Sequence, residues 1–225
     1  MLQVVLGTGP MLDFSHSHKL APPVDLTRDH DALQTRMKDV FDRALALVAL
    51  ILLAPLFAVV ALAIKLEAPG PVFFRQPRGG KDGQLFLIYK FRSMGVDASS
   101  SQATRNDPRV TRVGAFIRKT SIDELPQLIN ILLGEMSFVG PRPHAAVHDE
   151  YYALRVPHYM NRYAVKPGLT GWAQINRARG ETETVDKMAR RIRLDVEYIR
   201  NWSIWLDLKI LLRTPLTLVT SDEAY

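Results

Sequence analysis

Along the chain the apolar residues fall into one long block and several short periodic runs. From Ala44 to Ile64 stand 21 consecutive residues without a charge, enough as a helix to cross roughly 30 Å of hydrocarbon. Pro55 lies at the centre of that block, where its missing N–H and its ring predict a kink or break. Beyond it the pattern shortens. Pro71-Val72-Phe73-Phe74-Arg75-Gln76 and the run from Gln84 to Met94, with Gly79-Gly80-Lys81-Asp82-Gly83 between them, predict two short strands joined by a glycine turn. Lys90 and Arg92 are two residues apart and fall on one face of the second strand. Ile122, Leu125, Leu128, Ile129 and Leu132 on one side, with Asp123, Gln127 and Asn130 on another, predict a helix from Ser121 to about Leu133. Lys166 to Asn176 reads as a tight loop entering a strand. Val185, Met188, Ile192, Val196 and Ile199 recur at helical spacing and predict a core-facing stripe, with Lys187, Arg190, Arg191 and Arg193 elsewhere on the wheel. From Asn201 to Val219, Trp202, Trp205, Leu206, Ile210 and Leu212 stand beside Lys209 and Arg213, which fits an interfacial helix or a helix packed on the domain.

This pattern predicts a mostly helical α+β protein in three parts: an N-terminal arm over 1–38, a membrane helix over 39–67 and a folded domain over 68–225. The arm shows no sustained periodicity, and its His16 and His18 read as solvated, with no third ligand at a helpful spacing. No secretory signal is visible. Arg36, Lys38 and Arg43 precede the apolar block, while Lys65, Arg75, Arg78 and Lys81 follow it. Both flanks are therefore cytoplasmic by the positive-inside rule, which favours a re-entrant hairpin. An ordinary kinked transmembrane helix fits the length equally, and a buried core helix is the third reading. The polar, serine-rich Asp97–Asp107 stretch predicts a loop able to close over a substrate.

Composition narrows the partner. The formal net charge is +6 and the isoelectric point near 9.6, which calls for an anionic partner: nucleic acid, acidic headgroups or a phosphorylated substrate. The chain has no cysteine, so disulfides and thiolate metal sites play no part.

Chemistry concentrates at Lys119-Thr120-Ser121-Ile122-Asp123-Glu124-Leu125-Pro126-Gln127-Leu128. Ser121 and Glu124 have capping-box spacing, and Asp123 suits the positive end of a helix dipole, so a purely structural role is open for both carboxylates. Around them, however, stand Arg109, Arg112, Arg118 and Lys119 on one side and Gly140-Pro141-Arg142-Pro143 on the other. Cations and carboxylates at one helix start suit phosphate chemistry: arginine forks hold phosphate oxygens, paired carboxylates hold Mg²⁺, and an aspartate attacks phosphorus.

From about Phe41 onward the chain resembles the bacterial sugar transferase family, the monotopic phosphoglycosyl or polyprenyl-phosphate hexose-1-phosphate transferases. The resemblance rests on Lys90-Phe91-Arg92-Ser93-Met94, Asp107-Pro108-Arg109-Val110-Thr111, the run from Arg118 through Pro143, Lys166 through Gln174, Arg179-Gly180-Glu181-Thr182 and Asn201-Trp202-Ser203. It implies transfer of a hexose 1-phosphate from a UDP-sugar to undecaprenyl phosphate at the cytoplasmic face of the bacterial inner membrane, initiating exopolysaccharide or other glycoconjugate synthesis. Asp123 matches the nucleophile and Glu124 its dyad partner, the two placing Mg²⁺. Lys90, Arg92, Arg118, Arg142 and Arg179 match phosphate- or substrate-binding positions. The resemblance also favours the re-entrant helix, broken at Ala54-Pro55, and it leaves homo-oligomerisation open and nucleic acid out. Two departures stand out: this is a short form without further N-terminal membrane segments, and Arg177 stands where members often carry glycine. The Arg179–Thr182 stretch and the Ala224-Tyr225 ending point to UDP-glucose, with UDP-galactose the alternative. Two rivals are a Mg²⁺-dependent phosphohydrolase using the same groups and a membrane-anchored basic adaptor.

Overall fold

The computed structural model describes residues 32–95, 107–178, 180 and 184–220. The N-terminal arm with its two histidines, most of the Asp97–Asp107 loop, and Arg179 lie outside the described residues. The apolar block belongs to one 36-residue helix, α1 (Ala32–Glu67), which starts inside the segment read as the arm and runs through Pro55 without the expected break at Ala54-Pro55. It is long and apolar enough to cross a membrane.

One side of α1 is packed along its length. Ala46 joins a core with Phe86, Ile88, Leu128, Ile131 and Met136, while Val60 and Ile64 join another with Phe91 and Ile117. The other side stays bare, with Val48, Ile51, Leu52, Val59, Leu62 and Leu66 exposed. Polar contacts tie both ends to the same domain. Near the start, Lys38 donates to Asp207 at 2.5 Å and Ser137 Oγ donates to Asp42 at 2.6 Å. At the end, Glu67 accepts from the backbone N–H groups of Arg112 (2.7 Å) and Val113 (3.0 Å), where negative charge is favoured by the next helix dipole.

The two predicted strands form an antiparallel hairpin, β1 (Phe73–Gly79) and β2 (Leu85–Phe91), with Phe73 opposite Phe91 and Gly79 opposite Leu85. Its turn places Asp82 and Gly83 in the left-handed region, as short hairpin connections require. A helix α2 (Arg112–Lys119), capped by Thr111 Oγ1 on the Gly114 N–H at 2.9 Å, leads to the dyad. Helix α3 (Gln127–Leu133) follows, ended by Gly134 at φ +83°, with the Arg43 guanidinium packed where a side chain there would stand. A parallel pair, β3 (Ser137–Val139) and β4 (Gly168–Thr170), lies beyond it. A Cβ on Gly168 would come within 2.1 Å of the Gly140 nitrogen, so the glycine lets the Gly140-Pro141-Arg142 segment run tight against β4.

The remaining helices are α4 (Ala146–Ala153), the one-turn α5 (Trp172–Ile175), α6 (Val185–Arg200) and α7 (Ile204–Thr220). The strand expected within Lys166–Asn176 is Gly168–Thr170, and the apolar residues after it, Trp172–Ile175, form a helical turn instead. On α6 the expected stripe is buried, with Met188, Ile192 and Ile199 at 2% exposure or less. Helix α7 packs on the domain, with Ile210 buried in a core with Val139, Tyr198 and Ile199, and leaves Trp205, Leu208, Leu212 and Leu216 exposed on the other side.

Candidate active site

The predicted helix start at Ser121 is not a capping box. Ser121 sits at φ +59°, makes no side-chain cap bond, and opens a 3₁₀ turn over Ile122–Glu124; α3 begins only at Gln127. A left-handed serine is unfavourable by about 1–2 kcal/mol and is held by its surroundings, here Ile122 packed against the Ile117 core on one side and Leu128 in the α3 core on the other. The sharp turn buries both carboxylates, which an ordinary first helical turn would leave in solvent.

Glu124 reaches away from its own backbone. Its Oε1 accepts from Lys90 Nζ at 2.7 Å, and Arg142 forks across it with 2.5 Å to Oε1 and 3.0 Å to Oε2. Bidentate arginine is the strong form of this contact and fixes the Arg142 plane. The Glu124 charge raises the Arg142 pKa, whereas burial lowers that of Lys90. Arg78, not singled out as a site residue from the sequence, stands behind them; burial and the Arg142 charge bring it down to about 10.

Asp123 differs from its neighbour. It accepts no hydrogen bond among the described residues, and burial pushes its carboxyl up to about 6, with the Glu124 charge adding and Lys90, Arg118 and Arg142 opposing. Such a group is largely ionised at neutral pH and poorly solvated, the state of an available nucleophile. Lys90, Arg118, Asp123, Glu124 and Arg142 are therefore brought together as expected.

The other expected cations go elsewhere. Strand β2 ends at Phe91, so the alternation does not carry to Arg92, whose buried guanidinium caps the end of α1 at the carbonyls of Pro69 (2.5 Å), Ala68 (2.7 Å) and Ile64 (3.4 Å). Arg109 closes locally on Asp107 at 2.8 and 2.5 Å, and Arg112 is exposed.

A buried polar network absent from the sequence reading backs the site. Arg162 donates to the Arg142 carbonyl, contacts the His144 ring and pairs with Asp195 at 3.3 Å. Arg191 donates to His144 Nε2 (3.3 Å) and to the carbonyls of Ala178 (2.8 Å) and Gly180 (2.5 Å), the two residues flanking Arg179. Tyr159 donates to Asp149 at 2.7 Å. Burial and the arginine charges hold His144 well below its ordinary value, so it is neutral, and burial pushes Asp195 up to about 6. One signal was available: Arg191 and Asp195 interrupt the α6 stripe at positions that share its buried side.

Next to Glu124 and Arg142 opens a cavity of about 210 Å³, extending between β4 and α7 past Phe138, Leu169 and Leu211.

The family model described as bacterial sugar transferase matches residues 33–221. A UDP-glucose:undecaprenyl-phosphate glucose-1-phosphate transferase of Escherichia coli K12 is 53% identical over 192 residues, 84% of this chain and 41% of its own length. One of the same name from Caulobacter vibrioides is 55% identical over 211 residues, 92% of this chain and 77% of its own. The exopolysaccharide production protein PSS of Rhizobium leguminosarum is 44% identical over 196 residues, covering 84% of this chain and 98% of its own. This chain thus spans about two-fifths of the Escherichia coli relative and nearly all of the Rhizobium one. With the family model covering the described domain and the motif residues gathered at one site, the chain belongs to the bacterial sugar transferase family.

Proposed function

We propose that the protein transfers glucose 1-phosphate from UDP-glucose to undecaprenyl phosphate through a phosphosugar held on Asp123. The donor and acceptor are those in the names of the Escherichia coli and Caulobacter relatives. The observation that carries the reading is the asymmetry of the dyad: Glu124 is clamped by Lys90 and Arg142, while Asp123 beside it is buried with no hydrogen bond among the described residues.

In this reading an Asp123 oxygen attacks the sugar-bearing phosphorus, and the bond to UMP breaks with its electron pair leaving on UMP. An oxygen of the lipid phosphate then attacks the same phosphorus and the Asp123 carboxylate departs. Arg118, Lys90 and Arg142 steady the phosphate charge in both halves, the service phosphoryl transfer chiefly asks of a protein. Glu124 is the weaker nucleophile because its oxygens are already accepting; it holds Lys90 and Arg142 in place, and Oε2, which accepts from Arg142, is the oxygen it would turn to a metal.

The residues fit Mg²⁺. Two adjacent carboxylates plus substrate phosphates are the oxygen set this cation takes, and among the described residues no group of three or more carboxylates and imidazoles forms a separate cage. Asp123 and Glu124 would hold it, and it would neutralise diphosphate charge.

The reading extends to the membrane. The packed side of α1 meets one domain from Ala46 to Ile64, with polar ties at both ends. Its packed side stays against that one domain along its length, so in this reading the helix dips into one leaflet of the inner membrane beside the domain, which lies on the cytoplasmic face, and does not carry either end across. The exposed apolar sides of α1 and α7 face the lipid, Trp205 at headgroup depth.

The test is UMP release by purified protein from UDP-glucose, UDP-galactose and other UDP-sugars, with Mg²⁺ and undecaprenyl phosphate. Acceptor-dependent release greatest with UDP-glucose, lost in Asp123→Ala, is expected; release of free glucose 1-phosphate to water would instead mark a phosphohydrolase.

A further inference from the structure

We propose that the cavity between β4 and α7 receives the first isoprene units of the polyprenyl phosphate acceptor, an inference that rests on the transferase reading above. The cavity is charged at one end only, where Glu124 and Arg142 border it, and its walls at Leu125, Phe138, Leu169 and Leu211 are apolar. A phosphate on a hydrocarbon tail has that same distribution.

The polar side chains lining it are mostly spent on the protein. Thr214 Oγ1 donates to the Ile210 carbonyl at 2.8 Å and lies 2.8 Å from Thr170 Oγ1, and Thr217 Oγ1 donates to the Arg213 carbonyl at 2.9 Å. These threonines satisfy their hydroxyls against the helix backbone and against each other. Gln174 gives its amide N–H to the Leu169 carbonyl at 3.2 Å, leaving one buried oxygen without a partner among the described residues. A single acceptor is too little for a hexose, whose ring of hydroxyls needs convergent polar groups, or for a uracil edge.

Position agrees with chemistry. The far side of α7 carries the exposed Trp205, Leu208, Leu212 and Leu216, so a chain leaving the cavity past this helix meets the apolar surface assigned to the bilayer. The volume, about 210 Å³, lies below the roughly 300–1,000 Å³ of whole-ligand pockets. It suits the head of a long lipid whose remainder stays in the membrane.

Leu211→Trp fills the cavity from α7, and the two half-reactions report separately on it. The first reading is the burst of UMP released from UDP-glucose without acceptor; the second is turnover against undecaprenyl phosphate and against a short prenyl phosphate of two isoprene units. The burst is expected within about twofold of wild type while kcat/KM for both acceptors falls about tenfold or more, the range for a reshaped apolar pocket. Because the burst needs folded protein, its survival is also the folding control. Leu211→Phe, a smaller filling, carries the same test with an intermediate loss. Unchanged acceptor kinetics in both variants, or a lost burst in a variant that melts like wild type, would overturn the assignment. Wild-type protein with no burst and no turnover would overturn the transferase reading, and this inference with it.

Discussion

Asp123 and Asp195 are both buried, and burial pushes both carboxyls up to about 6, yet they stand in opposite situations. Asp195 faces Arg162 at 3.3 Å in an enclosed pair, and Arg162 in turn donates to the Arg142 carbonyl, so its charge is spent on holding the loop that clamps Glu124. Asp123 has cations nearby and hydrogen-bonds to none of them among the described residues. A shifted pKa therefore marks both Asp123, the proposed tool, and its mounting. What separates them is an ion pair: Asp195 stands within 3.3 Å of a buried guanidinium, and Asp123 has no cation at that range among the described residues.

The largest effects should come from exchanging these two groups. Asp123→Asn is expected to remove turnover by about 10⁴-fold or more, as loss of a covalent nucleophile does. Its effect on stability has the opposite sign. A carboxyl whose folded pKa is about 6, above its unfolded value, binds its proton more tightly when folded. The fold therefore loses stability as pH rises from the unfolded value through about 6, and the loss is complete above that. Asn carries no such penalty, so its melting temperature should exceed that of wild type by more at pH 8 than at pH 5. Asp195→Asn leaves the Arg162 charge buried without its ion pair and is expected to destabilise by about 3–5 kcal/mol while part of the turnover survives. Thermal melts beside UMP release decide both; equal falls in melting temperature, or turnover in Asp123→Asn, would collapse the distinction.

Next in size is the clamp. Arg142→Lys replaces a fork by a point charge and Glu124→Gln removes the carboxylate that both Arg142 and Lys90 address; each is expected to lower kcat by about 10²–10³-fold. The Glu124 variant should also shift the Mg²⁺ concentration for half-maximal rate, and the arginine variant should not. A Glu124→Gln enzyme at wild-type rate would return that residue to a structural role.

The front of the molecule was far more legible than the back. Asp123, Glu124, Lys90, Arg118 and Arg142 could be named from adjacent charges and family motifs, and the structure gathers them in one place. Even there, local rules misled: Ser121 and Glu124 fit a capping box by spacing, and only the positive φ of Ser121, imposed by packing on both sides, sends Glu124 to Lys90 and Arg142 instead. Arg92 shares a strand face with Lys90 only if β2 continues past Phe91, and it does not. The rear network joins residues about 20 to 50 apart in sequence, Arg142 and His144 with Arg162 and Arg191, and no periodicity announces such pairings. An uncharged apolar block located the body of α1, though neither its start at Ala32 nor its passage through Pro55, and hydrophobic periodicity located the hairpin and α6 well, since burial of one side is what those elements are for.

The pH dependence of the first half-reaction bears on the front region once Asp195, pushed up to the same value of about 6, is told apart by the Glu124 variant. If Asp123 must be ionised to attack, burst rates should be half-maximal at about pH 6 and fall roughly tenfold per unit below about pH 5. The sign follows from the raised carboxyl: protonation on the acid side removes the attacking pair. Glu124→Asn would take away one source of the upward push, the neighbouring charge, and should move the midpoint to lower pH. A flat profile between pH 5 and 8 would place the limiting group elsewhere.

The smallest expected effect tests the rear region for strain without function. Arg177 is exposed and sits at φ +57°, where the family resemblance leads one to expect glycine, in the turn just ahead of the Ala178 and Gly180 carbonyls that Arg191 holds. The turn thus keeps a glycine-like shape with a residue that adopts it at a cost of about 1–2 kcal/mol. Glycine would relieve that strain, offset in part by about 0.5–1 kcal/mol of extra freedom in the unfolded chain. Arg177→Gly should therefore raise the melting temperature by about 1–3 °C, with kcat and both substrate KM values unchanged. The front region offers no such gain, because Ser121 holds its own left-handed turn directly against the carboxylates and borders the cavity beside Glu124. A melting temperature unchanged or lowered in Arg177→Gly would mean that the Arg177 side chain contributes to the turn as much as its backbone costs. A changed donor KM would instead make this turn part of the substrate site, and the division between tool and mounting would have to be drawn further back.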